Sequence, residues 1–283
     1  MNNLALPPKA ASSDFLGRFR EVISDPLNLL IERVPLAGIV EANDVYLHNG
    51  NKVPLSGSGA YYDSFSQILV VNRGVHEPLE EFVFQEVLRR LPATPLMIEL
   101  GAYWAHYSMW LLKRRPPAAA VMVEPDPGNL AAGRSNFARN NCVGEFIQAA
   151  VAKGHWQLDP FLQARGIAHV DIVHVDIQGY ELEFIDGARN ALGGKKIDRL
   201  FISTHSQELH RRVTGELAGL GYRIEVSSDF ENETTSHDGL VFASSPQIEP
   251  TFKSLKTLGR VELARSGPSD LLETLAGVRS ALT

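Results

Sequence analysis

Three residues near the middle of the chain have types and spacing that can hold a nucleoside. Glu99 lies two positions before Gly101, and Glu124 lies 23 positions after it. Both acids belong to short apolar runs: residues 96–100 lead into the glycine, and residues 119–123 lead into the second acid. A buried parallel strand that ends on glycine can turn sharply beside a ligand, because glycine tolerates backbone angles that other residues avoid. An acid about 20 residues beyond such a turn can accept hydrogen bonds from the two hydroxyls of a ribose. Pro125 locks the chain as it leaves this second strand, and Asp126 follows.

The loop decides which nucleoside. A dinucleotide needs G-x-G-x-x-G, so that a pyrophosphate can lie against bare backbone at a helix N-terminus. Here a single glycine is followed by Tyr103, Trp104 and His106. These are too bulky for a phosphate cradle but suit a charged amino-acid tail and a sulfonium, which favours S-adenosylmethionine over NAD.

The elements that must position these residues read as α/β. Tyr107, Trp110 and Leu111 recur at helical spacing until Pro116-Pro117 stops the pattern. Beyond Asp126 the alternation continues: a helix over 127–140, a strand over 145–151, a short helix over 160–164, and a buried strand over 172–177 that carries Asp176. A helix from 178 to 187, a strand over 199–204, a helix over 207–220 and strands over 222–226 and 240–243 follow. Such regularity is the pattern of a parallel sheet covered on both faces. Earlier in the chain, residues 1–11 are polar and proline-bearing, and Ser12 or Ser13 is placed to cap a first helix. Asn49-Gly50 reads as a type I′ hairpin turn, residues 68–71 as a strand, and residues 76–91 as a helix opened by Glu77-Pro78. Tyr61 and Tyr62 read as local packing. The divisions are an N-terminal helical and hairpin cap or arm over 1–76, a core domain over 77–247 and a tail over 248–283.

Composition narrows the partners. The chain has 283 residues, 44% of them hydrophobic, a formal net charge of -6 and basic residues that are dispersed. No clustered positive surface suits a phosphate backbone, so nucleic acid is not expected. The single cysteine, Cys142, excludes an intramolecular disulfide and any cysteine-rich metal site. With no secretory segment and no apolar run of membrane-spanning length, the cytoplasm is the expected location and no membrane partner is expected. A homo-oligomer is compatible with all of this.

Four segments together resemble a known family. Ile98-Glu99-Leu100-Gly101-Ala102-Tyr103, Val123-Glu124-Pro125, Val175-Asp176-Ile177-Gln178-Gly179-Tyr180-Glu181 and His237-Asp238-Gly239 are similar to the FkbM family of S-adenosylmethionine-dependent methyltransferases, mostly O-methyltransferases of sugars and natural products. The resemblance covers residues 77–243. It implies a doubly wound, Rossmann-like class I methyltransferase sheet of about seven strands, the last inserted antiparallel. By position it places Glu99, Gly101, Ala102 and Tyr103 at the methionine end of the cofactor, with Ser108 near its carboxylate. Glu124 would hold the ribose, Pro125 and Asn129 the adenine surroundings, and Gln148, Ala149 and Ala150 the adenine edge. Asp176 and Gln178 would lie between cofactor and acceptor. One departure is Ala105, where such enzymes often have a second glycine.

For transfer to an alcohol, a base must remove a proton. His205 ends the fifth strand of the alternation and is expected to face the crevice beside Asp176, which makes these two the catalytic candidates. Asp176 and Asp238 could instead hold a magnesium ion, since carboxylate oxygens suit it. The expected activity is O-methylation of a sugar-bearing or other small polyhydroxylated acceptor, a small molecule or a glycan. The alternatives are a catalytically silent S-adenosylmethionine- or carbohydrate-binding module and, with less support, an NAD-linked oxidoreductase.

Overall fold

Successive residues of a strand face opposite sides of its sheet, and the central strand uses both. Ile98 and Leu100 belong to one apolar cluster and Met97 to another. In the computed structural model, which describes residues 9–11 and 13–282, that strand is β4 (Leu96–Leu100). The polar start through Pro8 and the candidate cap Ser12 lie outside the described residues.

Before β4 come helix α1 (Phe15–Ser24), a small sheet of β1 (Val40–Glu41), β2 (Asp44–Tyr46) and β3 (Lys52–Pro54), and helices α2 (Ile68–Val71) and α3 (Pro78–Leu88). The alternating core then runs α4 (His106–Arg114), β5 (Ala119–Glu124), α5 (Pro127–Arg139), β6 (Glu145–Gln148), α6 (Leu158–Arg165), β7 (Val170–Val175), α7 (Glu181–Gly187) and α8 (Arg189–Gly193). Strand β8 (Ile197–Thr204), helix α9 (Gln207–Gly219), strands β9 (Arg223–Ser228) and β10 (Gly239–Ser244), and helices α10 (Arg260–Leu263) and α11 (Pro268–Ala281) complete it.

The main sheet has the order β6-β5-β4-β7-β8-β10-β9. The first five of these strands pair in parallel, and β10 is antiparallel to both β8 and β9. This is the class I methyltransferase sheet, with its topological reversal between β4 and β7. There the carboxyl ends of neighbouring strands diverge and open a crevice.

The flanking segments share the core rather than hanging from it. Val45, Leu47 and Val53 of the hairpin are buried in one cluster with Met109, Met122 and Phe137. Leu27, from a short 3-10 helix, and Val278 of α11 join Phe82, Phe84 and Phe201 on the face of the sheet covered by α3 and α4. No helix of the described residues is long and apolar enough to cross a membrane.

Three local expectations change. Residues 68–71 form α2, not a strand, because a four-residue apolar run carries no period that separates the two. The cap of α1 is Asp14, whose side chain accepts from the Gly17 N–H. At Asn49-Gly50 only Gly50 has positive φ, at 83°, so the turn is not type I′, which needs both central residues there. Gly50 N–H instead donates to the Leu47 carbonyl while Leu47 N–H donates to that of Asn51, which makes a three-residue loop.

Candidate active site

Strand β4 ends in a loop in which every second residue has left-handed backbone. Gly101, Tyr103 and Ala105 have φ of 73°, 42° and 60°. At Gly101 this conformation is compulsory on a second count, since a Cβ there would lie 1.7 Å from the Asp176 carbonyl oxygen. Gly101 and Ala102 both donate their N–H groups to the Val123 carbonyl, which folds the loop over the end of β5. Ala105, standing in place of the second glycine, adopts the left-handed angle itself and is fully buried, at a backbone cost of about 1–2 kcal/mol.

The two acids derived from spacing are held differently. Glu124 is buried, and its oxygens accept from Tyr103 N–H at 3.0 Å, Asp126 N–H at 2.9 Å and the Asn129 side-chain amide at 3.5 Å. A carboxylate has about four acceptor positions, so capacity remains for a ligand hydroxyl. Glu99 accepts from Ser108 N–H at 3.1 Å, and burial raises its pKa above the usual carboxylate range. Its register neighbour on β7 is His174, whose ring, 2.6 Å from Glu80, is pushed up to about 9 and so carries positive charge behind Glu99.

Two cavities open at this edge of the sheet. One, of about 580 Å³, is lined by Gly101, Tyr103, Glu124, Pro125, Asn129, Ala150, Asp176 and Gln178, together with His155 and Tyr180, which the sequence reading missed. The other, of about 470 Å³, is lined by Glu99, Gly101, Ala102, Tyr103, Asp176 and Gln178 from the predicted set. Its remaining wall includes Phe15, Arg18, Tyr61, Tyr62, Glu77 and Asp238. Tyr62, read from sequence as packing, borders both cavities. Gln148, Ala149 and Ser108 border neither: Gln148 reaches back to the Pro125 carbonyl, Ala149 N–H donates to Glu124, and Ser108 is enclosed beneath Glu99.

Between the cavities and β8 lies a compact charged group. Asp176 follows β7, His205 follows β8 and Asp238 immediately precedes β10. His205 Nε2 is 3.0 Å from Asp176 and 3.6 Å from Asp238, and its Nδ1 is 2.9 Å from the buried Glu181. Gln178 donates to Asp176 at 3.0 Å, and Glu181 also accepts from the backbone of Ile177 and Gly179. The acids therefore fix the 176–179 loop as well as the ring. Gly239 is required at the start of β10, since a Cβ there would meet the Thr204 hydroxyl at 2.6 Å.

The expected meeting of His205 with Asp176 is present, but the electrostatics assign the ring a different state from that of a free base. Burial opposes its charge, and the surrounding carboxylates overcome that, pushing it up to about 10. The ring lines a groove with Gly179, Ser206 and Arg212 rather than either cavity, while Asp176 and Asp238 face inward. Asp176, in contact with this cation, is held below its ordinary value. Burial and the neighbouring Asp176 push Asp238 up to about 7. Ligand-capable atoms of Asp176, His205 and Asp238 lie within 4.8 Å of one another. A divalent ion would have to displace the proton of His205 to bind here.

Residues 154–224 match the family model described as the methyltransferase FkbM domain. No curated protein matches the chain. Among solved structures it is similar to precorrin-6y C5,15-methyltransferase from Geobacter metallireducens, at 15% identity over 58% of this chain and 84% of that one, with a TM-score of 0.42. It is also similar to the O-methyltransferase from Bacillus cereus in complex with SAH, at 14% identity over 58% and 78%, with a TM-score of 0.42. M. capricolum TrmK, in complex with S-adenosyl-homocysteine, is similar at 13% identity over 70% and 82%, with a TM-score of 0.41. The fold assignment rests on the strand order: the chain has a class I methyltransferase sheet, and its residues 154–224, which contain Asp176, Gln178, Glu181 and His205, are similar to the FkbM methyltransferase domain.

Proposed function

We propose that the protein is an S-adenosylmethionine-dependent O-methyltransferase whose acceptor is a hydroxyl of a sugar-bearing or other small polyhydroxylated molecule. The observation that carries this reading is the placement of Asp176 and Asp238 in one cavity with Glu99 and Gly101, adjoining the cavity that contains Glu124. When bound, the cofactor supplies an electrophilic methyl group on a cationic sulfur. Four carboxyl groups, those of Glu77, Glu99, Asp176 and Asp238, line the cavity next to it, together with the cations Arg18 and His174. Glu124 would receive the ribose hydroxyls, and Pro125, Asn129 and Ala150 would surround the base. Glu99 and the 101–103 backbone would hold the amino-acid end.

An alcohol needs a proton acceptor, and Asp238 is the group suited to it. The groups that set its charge come from every side: Asp176 raises its pKa, and His205, Lys9 and Arg18 lower it. The result, about 7, leaves it able to take a proton near neutrality. His205 is then a positioning residue, a fixed cation that holds Asp176 ionised and aligns Asp238. The test is transfer of a labelled methyl group to a panel of glycans and polyhydroxylated metabolites. A product methylated on oxygen supports the reading, and one methylated on nitrogen or carbon overturns it.

Cofactor binding has its own expected result. Glu124→Ala should weaken S-adenosylhomocysteine binding by about 1–3 kcal/mol, the scale of a lost charge-assisted hydrogen bond. Calorimetry measures this, and unchanged affinity would remove Glu124 from the ribose site.

A further inference from the structure

We propose that His48, Glu81 and His106 bind a divalent metal ion of the zinc class, at a site separate from the crevice. His48 lies in the loop between β2 and β3, Glu81 in α3, and His106 is the first residue of α4. They are 1%, 0% and 1% exposed. Their ligand-capable atoms all fall within 4.8 Å of one another. Glu81 Oε2 is 3.4 Å from His48 Nε2, and Glu81 Oε1 is 3.6 Å from His106 Nε2. Ligands about 2.0–2.1 Å from a tetrahedral zinc are separated by about 3.3 Å, so these spacings need little adjustment.

Several polar atoms of this group lack a hydrogen-bond partner among the described residues. Both ring nitrogens of His48, both of His106 and Glu81 Oε2 are buried without a hydrogen bond of normal geometry among the described residues. Each such atom costs about 1–3 kcal/mol, and native interiors hold few of them. Neutral imidazole is the metal-binding form, and two imidazoles with one carboxylate is a zinc-type donor set with a position left open.

The second layer is built as well. His76 Nδ1 lies 2.5 Å from Glu81, and its Nε2 lies 3.4 Å from Glu77, a chain of carboxylate, imidazole and carboxylate that orients the Glu81 oxygens. Trp110 stands edge-on to His48 with ring centres 4.4 Å apart, and Trp104 stacks on His106 at 5.2 Å. His48 borders a cavity of about 490 Å³ with Arg33, Asn49 and Arg114, and His106 borders the crevice cavity from the other side. Bound there, the metal joins the N-terminal hairpin to two core helices.

The test uses the full chain, without a histidine tag, stripped with chelator and titrated with cobalt(II). The expected result is one equivalent bound, with the visible bands of a low-coordinate nitrogen and oxygen site, displaced by zinc. In the wild-type cobalt complex, paramagnetically shifted, exchangeable imidazole N–H resonances should report two histidine ligands, a readout that needs no variant. His106→Phe should weaken uptake at least a hundredfold, whereas Asp238→Asn should retain it. Absence of stoichiometric uptake by the wild type overturns the proposal. Loss of uptake in Asp238→Asn with retention in His106→Phe also overturns it, by moving the ion to the crevice.

Discussion

Asp238→Asn should reduce methyl transfer by about a hundredfold or more while leaving S-adenosylhomocysteine affinity within a factor of about two, because proton removal acts in the transition state and not on the cofactor. The wild-type pH profile supplies the sign. A base must be ionised to work, so kcat/KM should rise with pH through about 7, the value to which burial and Asp176 push Asp238. His205→Ala removes a cation that lowers the Asp238 pKa, and the same limb should therefore move to higher pH. A positioning role predicts that displacement together with lost turnover. A profile that keeps its limb near 7 in Asp238→Asn would remove this residue as the base.

Gly101→Ala should destabilise the fold by about 3 kcal/mol or more and abolish measurable cofactor binding. The methyl group would sit 1.7 Å from the Asp176 carbonyl oxygen and 2.7 Å from its carbon, both backbone atoms that cannot rotate away. The left-handed angle at 73° adds about 1–2 kcal/mol for any residue with a Cβ, and overpacking adds about 1–3 kcal/mol. Denaturant unfolding should show a lower midpoint with an unchanged slope. A midpoint equal to wild type would mean that β4 and β7 can separate at their ends, contrary to their parallel pairing up to Leu100 and Val175.

The parts of the site that lie at the carboxyl ends of parallel strands were legible in the sequence. Glu99, Gly101, Glu124 and Asp176 follow from apolar runs that stop on a glycine or an acid, because the geometry of a doubly wound sheet sends all such ends to one crevice. Asp238 escapes that rule. Strand β10 runs antiparallel, so its beginning faces the crevice, and only the resemblance through His237-Asp238-Gly239 pointed there. Position was also more legible than state. The spacing placed His205 beside Asp176, but its charge depends on Glu181 and Asp238 closing around it, which no local pattern encodes. The segment that supplies Phe15, Arg18, Tyr61 and Tyr62 was legible as a cap or arm, but not these side chains as its wall, because its own periodicity reports only burial.

That wall has a consequence for how such a protein can diversify. The proposed acceptor cavity draws Phe15, Arg18, Tyr61, Tyr62 and His76 from the first part of the chain, whereas the Glu124 cavity takes only Tyr62 from it. Substitutions in the early segment, Tyr62 apart, can therefore retune the proposed acceptor wall without touching the Glu124 cavity. The freedom is confined to residues facing the cavity, because Val45, Leu47 and Val53 are packed against Met109, Met122 and Phe137 of the core. A chimaera exchanging residues 1–76 between two such enzymes would inherit the new acceptor only if it carried a matching set of these buried side chains.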